Sequence, residues 1–226
     1  MGMFATPTLF DIILRVMKTI DWRLCLVADS EAAGSRNLIY IIREAVDAGV
    51  TLVQLRGKNL NIRAFLDLAV QTSELLKSRN IPLIINDRLD IALACEADGV
   101  HLGQEDLPLP IARKIIGKER LIGISVNTVT EAEESESEGA NYIGVGPIFY
   151  TPSKKDLRSI LGFEGLKTIR NKVKIPILAI GGIKAENARG VIASGANGIA
   201  VISSIMDAKD ITKATRTLLE VIGTRT

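Results

Sequence analysis

Apolar and polar positions along the chain repeat in a rhythm. A short apolar run is followed by a polar or glycine-rich break, then by a longer stretch with apolar residues at helical spacing. The short runs predict strands at Leu24–Ala28, Thr51–Leu55, Pro82–Asn86, Gly99–Leu102, Leu121–Ser125, Tyr142–Gly146, Ile177–Ile180 and Gly198–Ile202. Helical spacing is plain in Asn37–Ala48, where Leu38, Ile41, Ile42 and Ala45 share one face. It returns in Ile62–Ser78, Thr128–Glu138, Ala185–Ser194 and Asp210–Ile222, with Gly49, Gly139 and Gly195 as helix stops.

Strands alternating with helices imply a parallel sheet, and eight such units imply closure into a single (β/α)8 barrel of the α/β class. An open doubly wound sheet is the alternative, and it would bind its ligand at a strand-order switch. Polar, glycine-rich residues follow nearly every strand here, which favours a site shared around a ring. The longest irregular stretch, Pro147–Gly162, has the length of a binding loop or lid.

Composition narrows this picture. Apolar residues are 47% of the 226 but aromatics only 4%, so Ile, Val, Leu and Ala fill the core, as suits parallel strands buried on both faces. The net charge of +2 gives no reason to expect nucleic acid as a partner. Cys25 and Cys95 sit in apolar stretches and read as packed, reduced thiols in a cytoplasmic protein. Leu9–Met17 is apolar but broken by Asp11 and Arg15, and it lacks a basic leader, so it reads as neither a signal peptide nor a membrane span. The expected organisation is a short N-terminal helical extension over residues 1–22, packed on the barrel's end, and a catalytic barrel over residues 23–226. Oligomeric state is not readable, and a homo-oligomer stays open.

Candidate chemistry lies at the strand ends. The second strand ends in Gln54-Leu55-Arg56-Gly57-Lys58, one amide and two cations able to hold a phosphate and a polar ring, though a solvated surface cluster reads the same way. Asp87 follows the third strand and Asp106 the fourth. Each carboxylate is a reasonable helix cap, and together they can converge on one Mg²⁺. His101 is the only histidine and the two cysteines are dispersed, which argues against zinc, and His101 reads as a packed barrel side chain. Ser125, at the end of the fifth strand, can bond a phosphate oxygen or cap the next helix. Thr151, Pro152, Ser153 and Lys154 form a hydroxyl- and lysine-rich loop suited to closing on an anion. Gly181 and Gly182 after the seventh strand, with Ser203 and Ser204 after the eighth, allow close approach of a phosphate to backbone N–H groups, a recurring site in this barrel.

From Arg23 to Ile205 the chain resembles the thiamine phosphate synthase family. The resemblance rests on Gln54-Leu55-Arg56-Gly57-Lys58, Ile85-Asn86-Asp87-Arg88, Asp98-Gly99-Val100-His101-Leu102-Gly103-Gln104, Gly144-Val145-Gly146-Pro147-Ile148-Phe149 with Thr151-Pro152-Ser153-Lys154, and Ile180-Gly181-Gly182-Ile183. Each segment is modest alone; their order at successive strand ends is specific. The resemblance implies condensation of a hydroxymethylpyrimidine diphosphate with a hydroxyethyl-thiazole phosphate, or its carboxylated form, with release of pyrophosphate. It implies that Gln54, Leu55, Arg56, Gly57, Lys58 and Asn86 hold the pyrimidine diphosphate and that Asp87 and Asp106 bind Mg²⁺. Ser125 and Lys154 would contact the pyrophosphate, with Arg56, Lys58 and Lys154 stabilising its charge. Thr151, Pro152 and Ser153 would line the thiazole side, whose phosphate Gly182, Ile202 and Ser203 would bind.

Two departures stand out. Asn127 fills a place where family members often carry histidine, and Gly57 one often held by a larger polar residue. Asn127 cannot titrate near neutrality and reads as tuning its loop. The rival readings are a thiazole tautomerase of the same barrel family, opposed by the intact Thr151–Lys154 loop, and a non-catalytic phosphate-ligand sensor, opposed by the presence of both metal-binding carboxylates.

Overall fold

The structure is a computed structural model that describes residues 20–151 and 159–223. Eight parallel strands close into a barrel in sequence order: β1 Leu24–Asp29, β2 Leu52–Arg56, β3 Leu83–Asn86, β4 Gly99–Leu102, β5 Leu121–Val126, β6 Tyr142–Val145, β7 Ile177–Ile180 and β8 Gly198–Val201. Closure is made by β8 on β1, with Leu24 opposite Ile199 and Leu26 opposite Val201. The outer layer holds α1 Ser30–Ala33, α2 Leu38–Asp47, α3 Ile62–Lys77, α4 Leu89–Ala94, α5 Leu109–Ile116, α6 Val129–Ser137, α7 Gly162–Arg170, α8 Ala185–Ala193, α9 Ser203–Met206 and α10 Ile211–Ile222. Every expected strand is present to within a residue or so at each end, and the expectation of a barrel over an open sheet holds. The extension before Ile20, and Pro152, Ser153 and Lys154, lie outside the described residues.

The helices missing from the sequence reading are α1, α4, α5, α7 and α9. Three of these, α4, α5 and α7, are six to nine residues long, α5 carrying a proline and α7 two glycines, and α1 and α9 are single turns, so none supplies enough repeats for periodicity to register. In contrast, α2 buries Leu38, Ile41, Ile42, Ala45 and Val46, a full apolar stripe. The glycine stops are also real: Gly49, Gly139 and Gly195 have φ of 118°, 91° and 99°, which L side chains rarely adopt.

Strand alternation splits the barrel into two cores. Leu26, Val53, Leu55, Ile85, Val100, Ile124, Val145 and Val201 face the helices, while Cys25, Val27, Leu52, Ile84, Leu121, Tyr142, Leu178 and Ala200 face the axis. Ile20 is buried against this inner set at the strands' N-terminal end, and the Trp22 ring lies 4.9 Å from that of Tyr142. Such a tilted pair adds about 1 kcal/mol beyond its buried area. Glycines make room for the large inner side chains. A Cβ on Gly123 would lie 2.1 Å from Tyr142 Cζ, and one on Gly144 would lie 2.9 Å from His101 Cε1.

That crowding makes a test of the inner core. Gly123→Ala should destabilise the fold by about 3 kcal/mol, the upper part of the usual overpacking range, read from urea denaturation. Combining it with Tyr142→Ala, which empties the space, should cost less than the sum of the two single changes.

Candidate active site

The C-terminal ends of the strands open into one cavity of about 950 Å³ including its mouth. Its floor and walls are the inward-facing strand residues Gln54, Arg56, Asn86, His101, Ser125, Tyr142, Gly144 and Ile180, with Ile202 just beyond β8. Thr151, Gly181, Gly182, Ser203 and Ser204 form the rim. This is where barrel enzymes of this kind carry their chemistry, because strand ends from all sides converge there on loops free to vary.

The structure sorts the residues of Gln54–Lys58 by strand parity. Gln54 and Arg56 face the cavity, whereas the Leu55 side chain is fully buried in the helix-facing core and makes no side-chain contact with it. Gly57 packs beneath Phe65; a Cβ there would lie 2.9 Å from the Phe65 ring, so a larger residue at this place requires α3 to shift. Lys58 leaves the strand and reaches Asp87 at 3.7 Å.

Asp29 was not singled out in the sequence. It is buried opposite Arg56 in the β1–β2 register and forms an ion pair with the guanidinium. Its other oxygen caps α1, accepting from the Glu31 N–H at 2.7 Å and the Ala32 N–H at 3.3 Å. Asp29 therefore anchors Arg56 at the cavity wall. The signal available was an acidic residue closing an apolar run, which a helix cap explains equally well.

Neither acidic candidate turns out to be a helix cap. Asp87 adopts φ 63° ahead of α4, whose N-cap is Arg88, and its N–H donates to the His101 carbonyl at 2.9 Å. Aspartate tolerates this left-handed conformation better than most residues. Asp106 precedes α5, whose N-cap is Pro108; instead it accepts from the Gly103 N–H at 2.6 Å. The two carboxyls hydrogen-bond each other across the β3 and β4 loops. Burial, the Asp106 hydrogen bond and the Asp106 charge push the Asp87 carboxyl up to about 6, against the lowering pull of Lys58 and Arg56. Two carboxyls this close favour a shared proton or a shared cation. No cluster of three or more Asp, Glu, His or Cys occurs among the described residues. A cation held here would complete its shell with ligand oxygens and water, which fits Mg²⁺.

Ser125 and His101 meet. His101 Nε2 lies 2.9 Å from Ser125 Oγ and Nδ1 lies 3.0 Å from the Tyr142 hydroxyl. The Ser125 carbonyl is held by the Gln104 amide at 2.8 Å. Ser125 is not a helix cap; Thr128 caps α6 in a capping box with Glu131. Asn127 is buried and donates to the Gly146 and Ser159 carbonyls at 3.1 and 2.9 Å, joining the β5 loop to both ends of the β6 loop. That is a structural tie between the two loops.

Across the mouth, Gly182 has φ 64°, and a Cβ there would lie 2.5 Å from the Tyr150 carbonyl, so only glycine lets the β6 and β7 loops meet. Ser203 opens α9, a single turn; what it offers an anion is first-turn N–H groups rather than a substantial macrodipole. Ile202 lines the cavity beside it.

These features define a (β/α)8 barrel with one strand-end cavity lined by Arg56 and Ser125 and by Gly182 and Ser203, the Asp87–Asp106 pair and Lys58 lying outside that lining. The chain belongs to the thiamine monophosphate synthase family, whose model matches residues 24–205. The thiamine-phosphate synthase of Moorella thermoacetica is 49% identical over 89% of this chain and 96% of its own length. That of Clostridium novyi is 47% identical over 89% of this chain and 99% of its own. Among solved structures, a thiamine phosphate pyrophosphorylase from Pyrococcus furiosus superposes with TM-score 0.83 at 38% identity, over 90% of this chain and 96% of that one.

The raised Asp87 carboxyl carries a pH signature. The folded protein holds this proton more tightly than the unfolded chain, so the contribution favours the fold below about pH 4 and is lost as pH rises through about 6. Asp87→Asn removes it. In metal-free buffer the variant should therefore gain on the wild type between pH 4.5 and 7.5, by on the order of 1 kcal/mol after allowing for solvent screening. Urea denaturation with EDTA at both pH values checks this; a difference independent of pH would contradict it.

Proposed function

We propose that this chain condenses hydroxymethylpyrimidine diphosphate with a hydroxyethyl-thiazole phosphate, or its carboxylated form, giving thiamine phosphate and pyrophosphate. The observation that carries the reading is one cavity lined by Arg56 and Ser125 together with Gly182 and Ser203, two groups suited to anions, in a member of the thiamine monophosphate synthase family. Two phosphorylated reactants need two anion sites facing each other across the bond being made.

In this reading Gln54 and Asn86 orient the aminopyrimidine ring against the inner wall. Arg56, held by Asp29, and Lys58 meet the diphosphate, and Ser125 donates to it. Lys154 would join them from the β6 loop, with Thr151, Pro152 and Ser153 lining the thiazole side. Gly182, Ile202 and Ser203 receive the thiazole phosphate, largely through backbone N–H groups. Mg²⁺ held by Asp87 and Asp106 would neutralise charge on the departing pyrophosphate. The bond from the methylene carbon to the diphosphate oxygen breaks, the electron pair leaving with pyrophosphate, and the thiazole nitrogen's lone pair forms the new bond to carbon. An electron-rich aminopyrimidine stabilises the cation in between, so the protein needs no nucleophile. It supplies charge stabilisation, alignment and exclusion of water. A cytoplasmic setting agrees with the two buried free thiols. None of the described helices is long and apolar enough to cross a membrane.

The test is incubation of the purified protein with both substrates and Mg²⁺, following pyrophosphate and thiamine phosphate. Both should appear together and stop on addition of EDTA. Binding without turnover would favour a ligand sensor, and conversion of the thiazole alone a tautomerase. Arg56→Ala should lower kcat by roughly 10²-fold or more, the usual cost of losing one preorganised charge-stabilising group. Asp87→Ala should lower turnover by orders of magnitude, on the order of 10²-fold. Undiminished Mg²⁺-dependent turnover in that variant would remove Asp87 from the metal site.

A further inference from the structure

Below the reacting groups the barrel contains a buried polar chain whose inner members, Tyr142 and His101, the condensation chemistry leaves unused. Tyr142, fully buried at the start of β6, lies close to the Gln54 side chain and 3.0 Å from His101 Nδ1. His101 Nε2 lies 2.9 Å from Ser125 Oγ. The imidazole cannot shift freely, because Gly144 packs against its edge and the Tyr142 ring lies 5.5 Å away, itself wedged against Trp22.

Such a chain has two directions. In the first, the Gln54 amide N–H donates to Tyr142, the phenol donates to Nδ1, and Nε2–H donates to Ser125 Oγ. The Ser125 proton is then free to enter the cavity, and Gln54 Oε1 faces it as an acceptor. In the reverse direction Ser125 donates to Nε2, Nδ1–H donates to the phenol, and the phenol donates to Gln54 Oε1. The cavity then meets serine lone pairs, which repel an anion.

Two observations favour the first direction. Burial holds the phenol's pKa well above its ordinary value, so Tyr142 keeps its proton, and His101 Nδ1 at 3.0 Å is an acceptor within its reach. Ser125 also shares its cavity with Arg56, on the wall that meets the anionic leaving group.

We propose that Tyr142 is a positioning residue whose buried hydroxyl fixes His101 as the Nε2–H tautomer, so that Ser125 turns its proton toward the departing pyrophosphate and Gln54 turns its oxygen toward a ligand N–H. The choice of direction rests on the condensation reading; the tautomer can be measured without it.

His101 is the only histidine, so ¹⁵N-labelled protein gives a single imidazole spin system. Long-range ¹H–¹⁵N correlation on the free wild type should show a protonated Nε2 and a bare, hydrogen-bonded Nδ1. A protonated Nδ1 with a bare Nε2 overturns the proposal, whatever the condensation assay shows. Tyr142→Phe removes the donor to Nδ1. Its Nδ1 resonance should move toward that of an unbonded nitrogen, and kcat should fall about tenfold, the effect of one misdirected hydrogen bond, with KM for the pyrimidine diphosphate changed much less. A folded variant with an unmoved Nδ1 resonance overturns the proposal, as does one whose kcat is unchanged. If the variant does not fold, the wild-type tautomer decides alone. Absence of condensation in the wild type would remove the functional reading while leaving the tautomer measurement to decide the direction of the chain.

Discussion

Closure of β8 onto β1 forces every second side chain into one narrow interior, and the rest of the molecule is arranged around that crowding. A barrel of this size is filled by its own side chains. Here the filling is uneven. Tyr142 and His101 are large for the space, and Gly123 and Gly144 on neighbouring strands yield to them. The volume surrendered by glycine becomes a buried polar column in an otherwise apolar core. A polar column at low dielectric must be fully hydrogen-bonded, and full bonding gives it a direction. The packing constraint thus reaches the cavity as a choice of donor or acceptor at Ser125 and Gln54.

The same closure creates the electrostatics of the mouth. Asp87 and Asp106 arrive from adjacent strands and would repel each other as bare anions. Their shared hydrogen bond and the neighbouring Lys58 and Arg56 keep them tolerable. Asp29 in turn holds Arg56, so cations and carboxylates alternate around this side of the barrel. An arrangement this tense is poor as a stabilising network, because exposed or half-exposed pairs contribute little and like charges cost. It fits the proposed binding of a polyanion together with a divalent cation.

Much of this was readable from the chain because parallel strands buried on both faces are dense apolar runs, and the residues just beyond them lie at the mouth whatever the loops do. Asp87, Asp106, Arg56 and Ser125 were identified on that basis, and the helix-cap alternatives for Asp87, Asp106 and Ser125 gave way only once the capping residues Arg88, Pro108 and Thr128 were seen. Leu55 was carried along by its motif, although alternation already turns its side chain toward the helices. Asp29 escaped notice because its partner, Arg56, lies 27 residues away and only the β1–β2 register brings them together.

The sequence by itself determined the eightfold rhythm, the barrel and the ring of strand-end chemistry, since these follow from local periodicity and from motifs at fixed places in it. Tertiary structure decided which strand-end residues touch. It brought the two carboxyls into one hydrogen bond, tied Asn127 to the β6 loop at both ends, and turned His101 from a packed barrel residue into the link between Tyr142 and Ser125. The reason is physical: which groups meet depends on register, closure and the room left by glycines on other strands, and none of these is encoded within reach of any single segment.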